Sequence, residues 1–134
     1  MRILVSGSRE YQHFDVIEEA LDSAAQDERD VVVVHGDARG ADRLGKEAAL
    51  MLGFSEESHP ADWNSYGNAA GPIRNTEMLS GGIDIALFFL DSKAGNVGTR
   101  HALKLAKRLG VPSRYFVDRD EVPYELLRSR LATW

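Results

Sequence analysis

The sequence predicts a Rossmann-like, three-layer α/β/α domain in which helices cover both faces of a mostly parallel, five-stranded sheet. Short apolar runs alternate with segments whose apolar residues recur at helical spacing. Glycine-rich loops follow the two most apolar runs, at 36–40 and 95–98. Strands that alternate with helices favour right-handed crossovers and a parallel sheet. The 134 residues, 43% of them hydrophobic and 28% charged, suffice for a single such domain.

The first half of the chain contains two units of strand, loop and helix. Residues 2–6 are the first predicted strand, and the helical stripe of residues 13–25 follows them. Residues 31–34 are four valines, a β-branched run that predicts a buried strand. The apolar side of residues 41–52 predicts a second helix, which Gly53 ends.

The second half begins with less regular sequence. Residues 54–59 predict a polar strand at a sheet edge, and residues 60–72 predict a long irregular loop of the kind that often carries function. The remaining predicted elements are a helix from Pro72 to Ser80, a strand over 83–90, a helix over 98–109, a strand over 111–117, an acidic turn over 118–121 and a short helix over 123–131.

A strand order of 3-2-1-4-5 is the simplest arrangement, because it centres the two best strands and leaves the polar third strand at an edge. Ligands of open α/β sheets bind at the carboxyl ends of the strands, beside the point where the strand order reverses. We therefore expect the loops Gly7-Ser8-Arg9 and Gly95 to Thr99 to face each other across one crevice.

The loop from Asp91 to Thr99 joins the most apolar strand to a clearly amphipathic helix. With Gly95, Gly98 and Thr99 at the helix start, free backbone N–H groups and the positive end of the helix dipole would face an anion. A plain tight turn in which Thr99 caps the helix explains the same residues, and the sequence leaves both interpretations open.

The loop after the first strand combines Gly7, Ser8 and Arg9. Glycine is free to adopt positive φ, and a guanidinium can bind a phosphate or carboxylate with two hydrogen bonds. The alternative is that Arg9 only pairs with an acidic side chain at the surface.

The loop over 35–42 is also broken by glycines. Gly36 and Gly40 allow a ligand to approach the backbone, and Asp42 lies just inside the following helix. Asp42 would bond a sugar hydroxyl, or would only cap the helix and complement its dipole. His35 is better explained as a hydrogen-bonded structural histidine than as a base.

The long loop and the helix after it supply the remaining candidates. Asp62, Trp63 and Tyr66 bring a carboxylate and two aromatic rings, which would stack on a nucleobase or hold the loop in place. Arg74 and Asn75 would meet a phosphate at the helix start. An ion pair of Arg74 with Glu77, one turn later, is the alternative.

Composition limits the classes of partner. The net charge of −5 argues against a broad surface for duplex nucleic acid and favours a small anionic ligand, although it allows a local patch of Arg9, Arg39, Arg74 and Arg100. Zero cysteines exclude disulfides, thiolate metal sites and a cysteine nucleophile. The four histidines lie in different segments, so we expect no metal and no cofactor. Neither a signal peptide nor a membrane-crossing run is apparent, so we expect a cytoplasmic protein.

Five short motifs, taken together and in this order, resemble the YspA-like family of the SLOG superfamily. They are Gly7-Ser8-Arg9, His35-Gly36 with Gly40-Ala41-Asp42, Pro60-Ala61-Asp62-Trp63, Gly71-Pro72 with Arg74-Asn75, and Gly98-Thr99. The superfamily also includes the Lonely Guy phosphoribohydrolases and DNA-processing protein A. The resemblance extends over about residues 1–117 and implies a Rossmann-like fold with a pocket for nucleotides or nucleotide-derived ligands.

Two segments resemble the phosphoribohydrolases residue by residue. Their Arg-Lys-x-x-Met helix start is similar to residues 74–78, which keep the arginine and lack the lysine. Their Pro-Gly-Gly-x-Gly-Thr-x-x-Glu loop is similar to residues 94–102, which keep the glycines and threonine of the phosphate-binding part. The glutamate that assists glycosidic cleavage in those enzymes falls at Ala102, and alanine can neither stabilise positive charge nor activate water.

The catalytic residues are therefore left unassigned, with Asp42, Asp62 and Asp91 open as replacements. The leading hypothesis is a nucleotide-binding or sensing module that holds phosphate at Gly98-Thr99 and at Arg74 or Arg9, the sugar near Asp42 and the base near Trp63. A phosphoribohydrolase with a relocated carboxylate is the alternative, and single-stranded DNA binding is a further one that the acidic balance disfavours. Two copies could pair through the apolar side of the helix over 98–109, although a core role explains that side better.

Overall fold

The computed structural model describes residues 1–134 and contains one six-stranded sheet covered by helices on both faces. The strands are β1 (Arg2–Gly7), β2 (Val32–His35), β3 (Ser55–Ser58), β4 (Ile85–Leu90), β5 (Ser113–Val117) and β6 (Asp120–Val122). The helices are α1 (Phe14–Ala25), α2 (Ala41–Met51), α3 (Trp63–Tyr66), α4 (Ala70–Ser80), α5 (Val97–Arg108) and α6 (Leu127–Arg130), with 3-10 turns at Gly67–Ala69 and Tyr124–Leu126.

The strand order is β3-β2-β1-β4-β5-β6, and all neighbouring pairs except β5 with β6 are parallel. The order of the first five strands is thus confirmed, and the strand count of five is wrong by one. The predicted acidic turn contains a two-residue hairpin loop, since Asp118 takes a φ of 52° and the chain pairs again from Asp120. Val122 is buried there, and Glu121 pairs with Arg114 of β5 at 2.8 Å.

Side chains of the central strands alternate between two cores, one on each face of the sheet. In β1, Ile3 and Val5 belong to the core that α1 and α2 cover, whereas Leu4 belongs to the core that α4 and α5 cover. β4 divides in the same way, with Phe89 on the first side and Phe88 on the second. None of the helices has the length and apolar character required to cross a bilayer.

The segment predicted as a long irregular loop is mostly helical, which corrects the prediction for residues 60–72. The Asp62 carboxylate caps α3 by accepting a hydrogen bond from the Ser65 N–H at 3.1 Å. The 3-10 turn then continues directly into α4, which begins at Ala70 rather than at Pro72. Pro72 lies in the first turn of α4, where a missing N–H removes no helical bond. Residues 62–69 are all exposed.

Candidate functional site

A cleft of about 420 Å³ opens at the carboxyl ends of β1 and β4, within the size range of small-molecule sites. The loops after these two strands contact each other, because the Ser8 hydroxyl donates to the Ala94 carbonyl at 3.0 Å. The predicted crevice at the reversal of strand order is therefore present. Its lining residues are Ser6, Gly7, Arg9, Ala38, Asp42, Trp63, Asn68, Gly71, Pro72, Arg74, Asn75, Gly95, Val97, Gly98, Thr99 and His101.

The first turn of α5 faces this cleft with unpaired N–H groups. Asn96 is the N-cap residue, but its side chain does not cap the helix. Instead its Oδ1 accepts a hydrogen bond from the Asp91 N–H, and its Nδ2 donates to the Asp91 carbonyl. The first helical bond runs from the Arg100 N–H to the Asn96 carbonyl at 2.9 Å. The three preceding N–H groups, of Val97, Gly98 and Thr99, have no partner in the protein. Thr99 is thus inside the helix, and its interpretation as the N-cap is wrong.

Three polar side chains of the cleft are nearly buried and yet incompletely bonded. Ser6, Asp42 and Thr99 are 7%, 5% and 4% exposed. The hydroxyls of Ser6 and Thr99 have no hydrogen-bond partner, whereas every fully buried polar side-chain atom of the protein has one. These hydroxyls must therefore reach the surface of the cleft, where a ligand can satisfy them.

The Asp42 carboxylate is held at one oxygen and free at the other. Its Oδ2 accepts hydrogen bonds from the N–H groups of Gly36 at 3.0 Å and Ala38 at 3.4 Å, and its Oδ1 has no partner. Burial raises the pKa of this carboxyl to about 6, and the nearby charge of Arg74 and the two N–H bonds limit the rise. Asp42 therefore does not cap α2, because its carboxylate bonds the loop before the helix instead and keeps one oxygen free beside the cleft.

Arg74 is fixed by backbone carbonyls and by its neighbour, with no ion pair to Glu77. Its Nη1 donates to the Gly36 carbonyl at 2.8 Å and its Nε donates to Asn75 Oδ1 at 2.9 Å, while Nη2 has no partner. A Cβ at Gly36 would lie 2.2 Å from Nη1, so this approach requires glycine. Burial lowers the pKa of Arg74, and the charge of Arg9 lowers it further.

His101 also lines the cleft, although it is not among the predicted site residues. Arg74 Nε can only donate and the Gly98 carbonyl can only accept, which fixes the Asn75 amide with its NH₂ towards His101 Nδ1 at 3.2 Å. Nδ1 is then an acceptor, and the proton lies on Nε2. Burial and the charge of Arg108 lower the pKa of His101, and both effects favour the neutral ring. His101 follows Gly98 by three residues, and this helical spacing places both residues on the same face of α5. The spacing was the one sequence signal that could have identified His101.

Arg9 and Trp63 form the outer wall of the cleft. Arg9 makes no ion pair, so its pairing with a surface acid is not observed, and its guanidinium carbon lies 5.9 Å from the centre of the Trp63 ring. Trp63 and Tyr66 are 48% and 54% exposed. About half of the Trp63 side chain is therefore covered and half is open to solvent, so both interpretations of this residue, as an anchor of the loop and as a platform for a base, stay open.

Four predicted site residues lie outside the cleft lining. Ser8 is fully buried and links the two loops, and Asp62 caps α3. Gly36 supports Arg74, and Gly40 starts α2 at a φ of 84°. His35 is structural as expected, since its ring bonds Glu56 and the Asp37 N–H. The lining residues absent from the prediction are Ser6, Ala38, Asn68, Gly71, Pro72, Val97 and His101.

Comparisons with known proteins identify the family of this chain. The family model described as YspA, cpYpsA-related SLOG family matches residues 1–66. Gene 61 protein of Mycobacterium phage D29 is 38% identical over 124 residues, which cover 88% of this chain and 98% of the phage protein. The chain belongs to the YspA, cpYpsA-related SLOG family. No solved structure matches it.

The departure of this SLOG-family chain from the phosphoribohydrolase pattern has a structural basis. Ala102, at the position of their glutamate, is fully buried in the core between the sheet and α5. The cleft nevertheless contains one carboxylate, that of Asp42. The other two candidate carboxylates are outside its lining. Asp62 caps α3, and Asp91 accepts hydrogen bonds from the N–H groups of Lys93 and Ala94 within its own loop.

Proposed function

We propose that the protein binds a nucleotide, or a phosphorylated ligand derived from one, in the cleft between the loops after β1 and β4. The observation that carries this proposal is the uncapped first turn of α5, which opens on a cleft whose nearly buried hydroxyls, Ser6 and Thr99, have no protein partner. Free N–H groups at a helix start bind phosphate well. Membership of the SLOG family supports the same class of ligand.

The arrangement of donors and acceptors orients the ligand. Its phosphate lies on the first turn of α5, within reach of a guanidinium from Arg9 or Arg74. A sugar hydroxyl donates to the free Oδ1 of Asp42, because a carboxylate oxygen can only accept. The base stacks on the exposed face of Trp63, which lines the same cleft.

A thermal-shift screen against nucleoside mono- and diphosphates, NAD and ADP-ribose tests the proposal. A ligand at 100 times its Kd adds about 2.7 kcal/mol and raises the melting temperature by several degrees. Arg74→Ala should abolish the shift while the unliganded protein stays folded by circular dichroism, and Arg29→Ala, an exposed control, should keep it. No shift with any of these ligands would refute the proposal.

Hydrolysis of the N-glycosidic bond is a second candidate, favoured by the free Oδ1 of Asp42. In that reaction water adds to the anomeric carbon, the bond to the base breaks, and one proton of the water passes to the departing base. Asp42 would stabilise the positive charge that develops on the sugar. Chromatography after incubation with nucleoside monophosphates should show free base with the wild type and none with Asp42→Asn. Free base no higher than in the absence of protein would exclude this activity.

A further inference from the structure

A second concavity of about 290 Å³ adjoins the cleft and shares part of its wall. Arg9, Ala38, Trp63 and Arg74 line both spaces. The remaining lining residues of the second concavity are Gly36, Asp37, Arg39, Arg43, Pro60 and Ala61. The two spaces therefore adjoin each other, with the four shared residues as their common wall.

The second concavity is strongly positive, although the chain as a whole carries −5. Four of its ten lining residues are arginines, and Asp37 is the one acidic residue among them. The sequence predicted a local basic patch of Arg9, Arg39, Arg74 and Arg100. The structure adds Arg43 to the first three, whereas Arg100 lines neither space.

Most of this positive charge is available to a ligand. Arg9 has no ion pair, and the Nη2 of Arg74 has no partner. Arg39 contacts Glu10 at 2.8 Å and Arg43 contacts Asp37 at 3.7 Å, and all four of these side chains are more than a third exposed. Exposed ion pairs of this kind are weak, so a phosphate can replace them.

The apolar lining of the second concavity consists of Ala38, Pro60, Ala61 and Trp63, so a base finds no aromatic ring there other than that of Trp63. Guanidinium groups converging from different segments suit the several oxygens of a phosphate, which accept paired hydrogen bonds. Gly36 of the second concavity lies beside Arg74, which lines both spaces, and beside Asp42, where the proposed function places the sugar.

We propose that the second concavity is a second phosphate subsite, so that the protein selects nucleosides phosphorylated at two positions of the sugar. One phosphate lies on α5 and the other among Arg39, Arg43 and the shared arginines. The second phosphate is either free, as in adenosine 3′,5′-bisphosphate, or a diester, as in the dinucleotide pApA. This inference rests on the proposed function of the cleft.

Isothermal titration calorimetry at constant ionic strength tests this subsite with 5′-AMP, adenosine 3′,5′-bisphosphate and pApA. The wild type should bind at least one of the two doubly phosphorylated ligands about tenfold more tightly than 5′-AMP, since a second phosphate adds charged hydrogen bonds. Preference for the bisphosphate over pApA would identify a free phosphate, and the reverse would identify a linked nucleotide.

The double variant Arg39→Gln/Arg43→Gln should lose this preference and keep its affinity for 5′-AMP, because neither residue lines the cleft. Arg29→Gln/Arg128→Gln is a matched control, since it removes the same charge from exposed positions without ion pairs and should keep the preference. Equal affinity for all three ligands, or a preference that survives in the first variant, would refute the subsite while leaving the proposed function intact. Failure of all three ligands to bind would refute the subsite, and together with no thermal shift in the wider screen it would refute both.

Discussion

The loops after β2 and β4 look alike in sequence, because each is broken by glycines and precedes a helix. In the structure neither of these helices has a side-chain N-cap. Their chemistry is opposite. Around the start of α2, the Asp42 carboxylate accepts two loop N–H groups and the Ala41 N–H donates to the Ser8 carbonyl. The first turn of α5 contains no acidic residue, and its N–H groups are free. One loop therefore presents an acceptor to the cleft, and the other presents donors.

A glycine-rich loop before a helix is therefore not by itself an anion site. The position of one carboxylate decides whether the helix start is neutralised internally or left for a ligand. In this protein both helix starts line one cleft, which therefore offers an acceptor at α2 and donors at α5. Three substitutions test that contrast, beginning with the largest expected effect.

Replacing Asp42 by Asn should change how stability depends on pH. The pKa of Asp42 in the folded state, about 6, lies above its ordinary value of 3.8, so the folded protein holds this proton more tightly than the unfolded chain. The stabilising contribution is complete below pH 3.8 and is lost as the pH rises through about 6. The variant lacks this loss and should gain up to about 3 kcal/mol relative to wild type between pH 4 and 7. Urea unfolding at several pH values measures the gain, and parallel curves would contradict it.

Gly98→Asp should give α5 the acidic first turn that α2 already has. Apart from the adjoining residues and the backbone of α5 itself, no atom lies within 4 Å of the position that a Cβ on Gly98 would occupy, so a Cβ meets open space there. The new carboxylate repels the ligand phosphate and competes for its donors, so 5′-AMP affinity should fall by about 2 kcal/mol, near thirtyfold. Gly98→Ala adds the same Cβ without the charge and should bind normally in calorimetry. Equal losses in the two variants would attribute the effect to shape rather than charge.

Thr99→Val should have the smallest effect of the three, because it removes one hydroxyl and keeps the side-chain volume. A ligand hydrogen bond is worth about 1 kcal/mol, so 5′-AMP affinity should fall about fivefold. Thr76→Val removes an exposed hydroxyl that bonds only the Pro72 carbonyl, and it should leave affinity unchanged. Affinity equal to wild type in Thr99→Val would mean that this hydroxyl does not contact the ligand.

Much of the framework was predictable because it depends on short-range patterns. Apolar runs such as those over 31–34 and 83–90 predicted the strands, and the helical stripes predicted the helices between them. The alternation of the two then predicted the parallel pairing of the central strands. The failures lay where local signals competed. Asp118 and its polar neighbours indicated a turn, and the strand that follows the turn is only three residues long. Residues 60–72 are rich in residues that favour loops, yet the segment Trp63–Tyr66 is helical, and Asp62 caps it.

Sequence alone determined where the cleft lies, since strand order fixes the crevice at the carboxyl ends of β1 and β4. Only the tertiary structure decided which polar groups remain unpaired inside it. The bond from Arg74 to the Gly36 carbonyl joins residues 38 positions apart, and that from Ser8 to the Ala94 carbonyl joins residues 86 apart. A hydrogen-bonding group is free or occupied according to what folding brings within about 3 Å of it, and no local pattern encodes that distance.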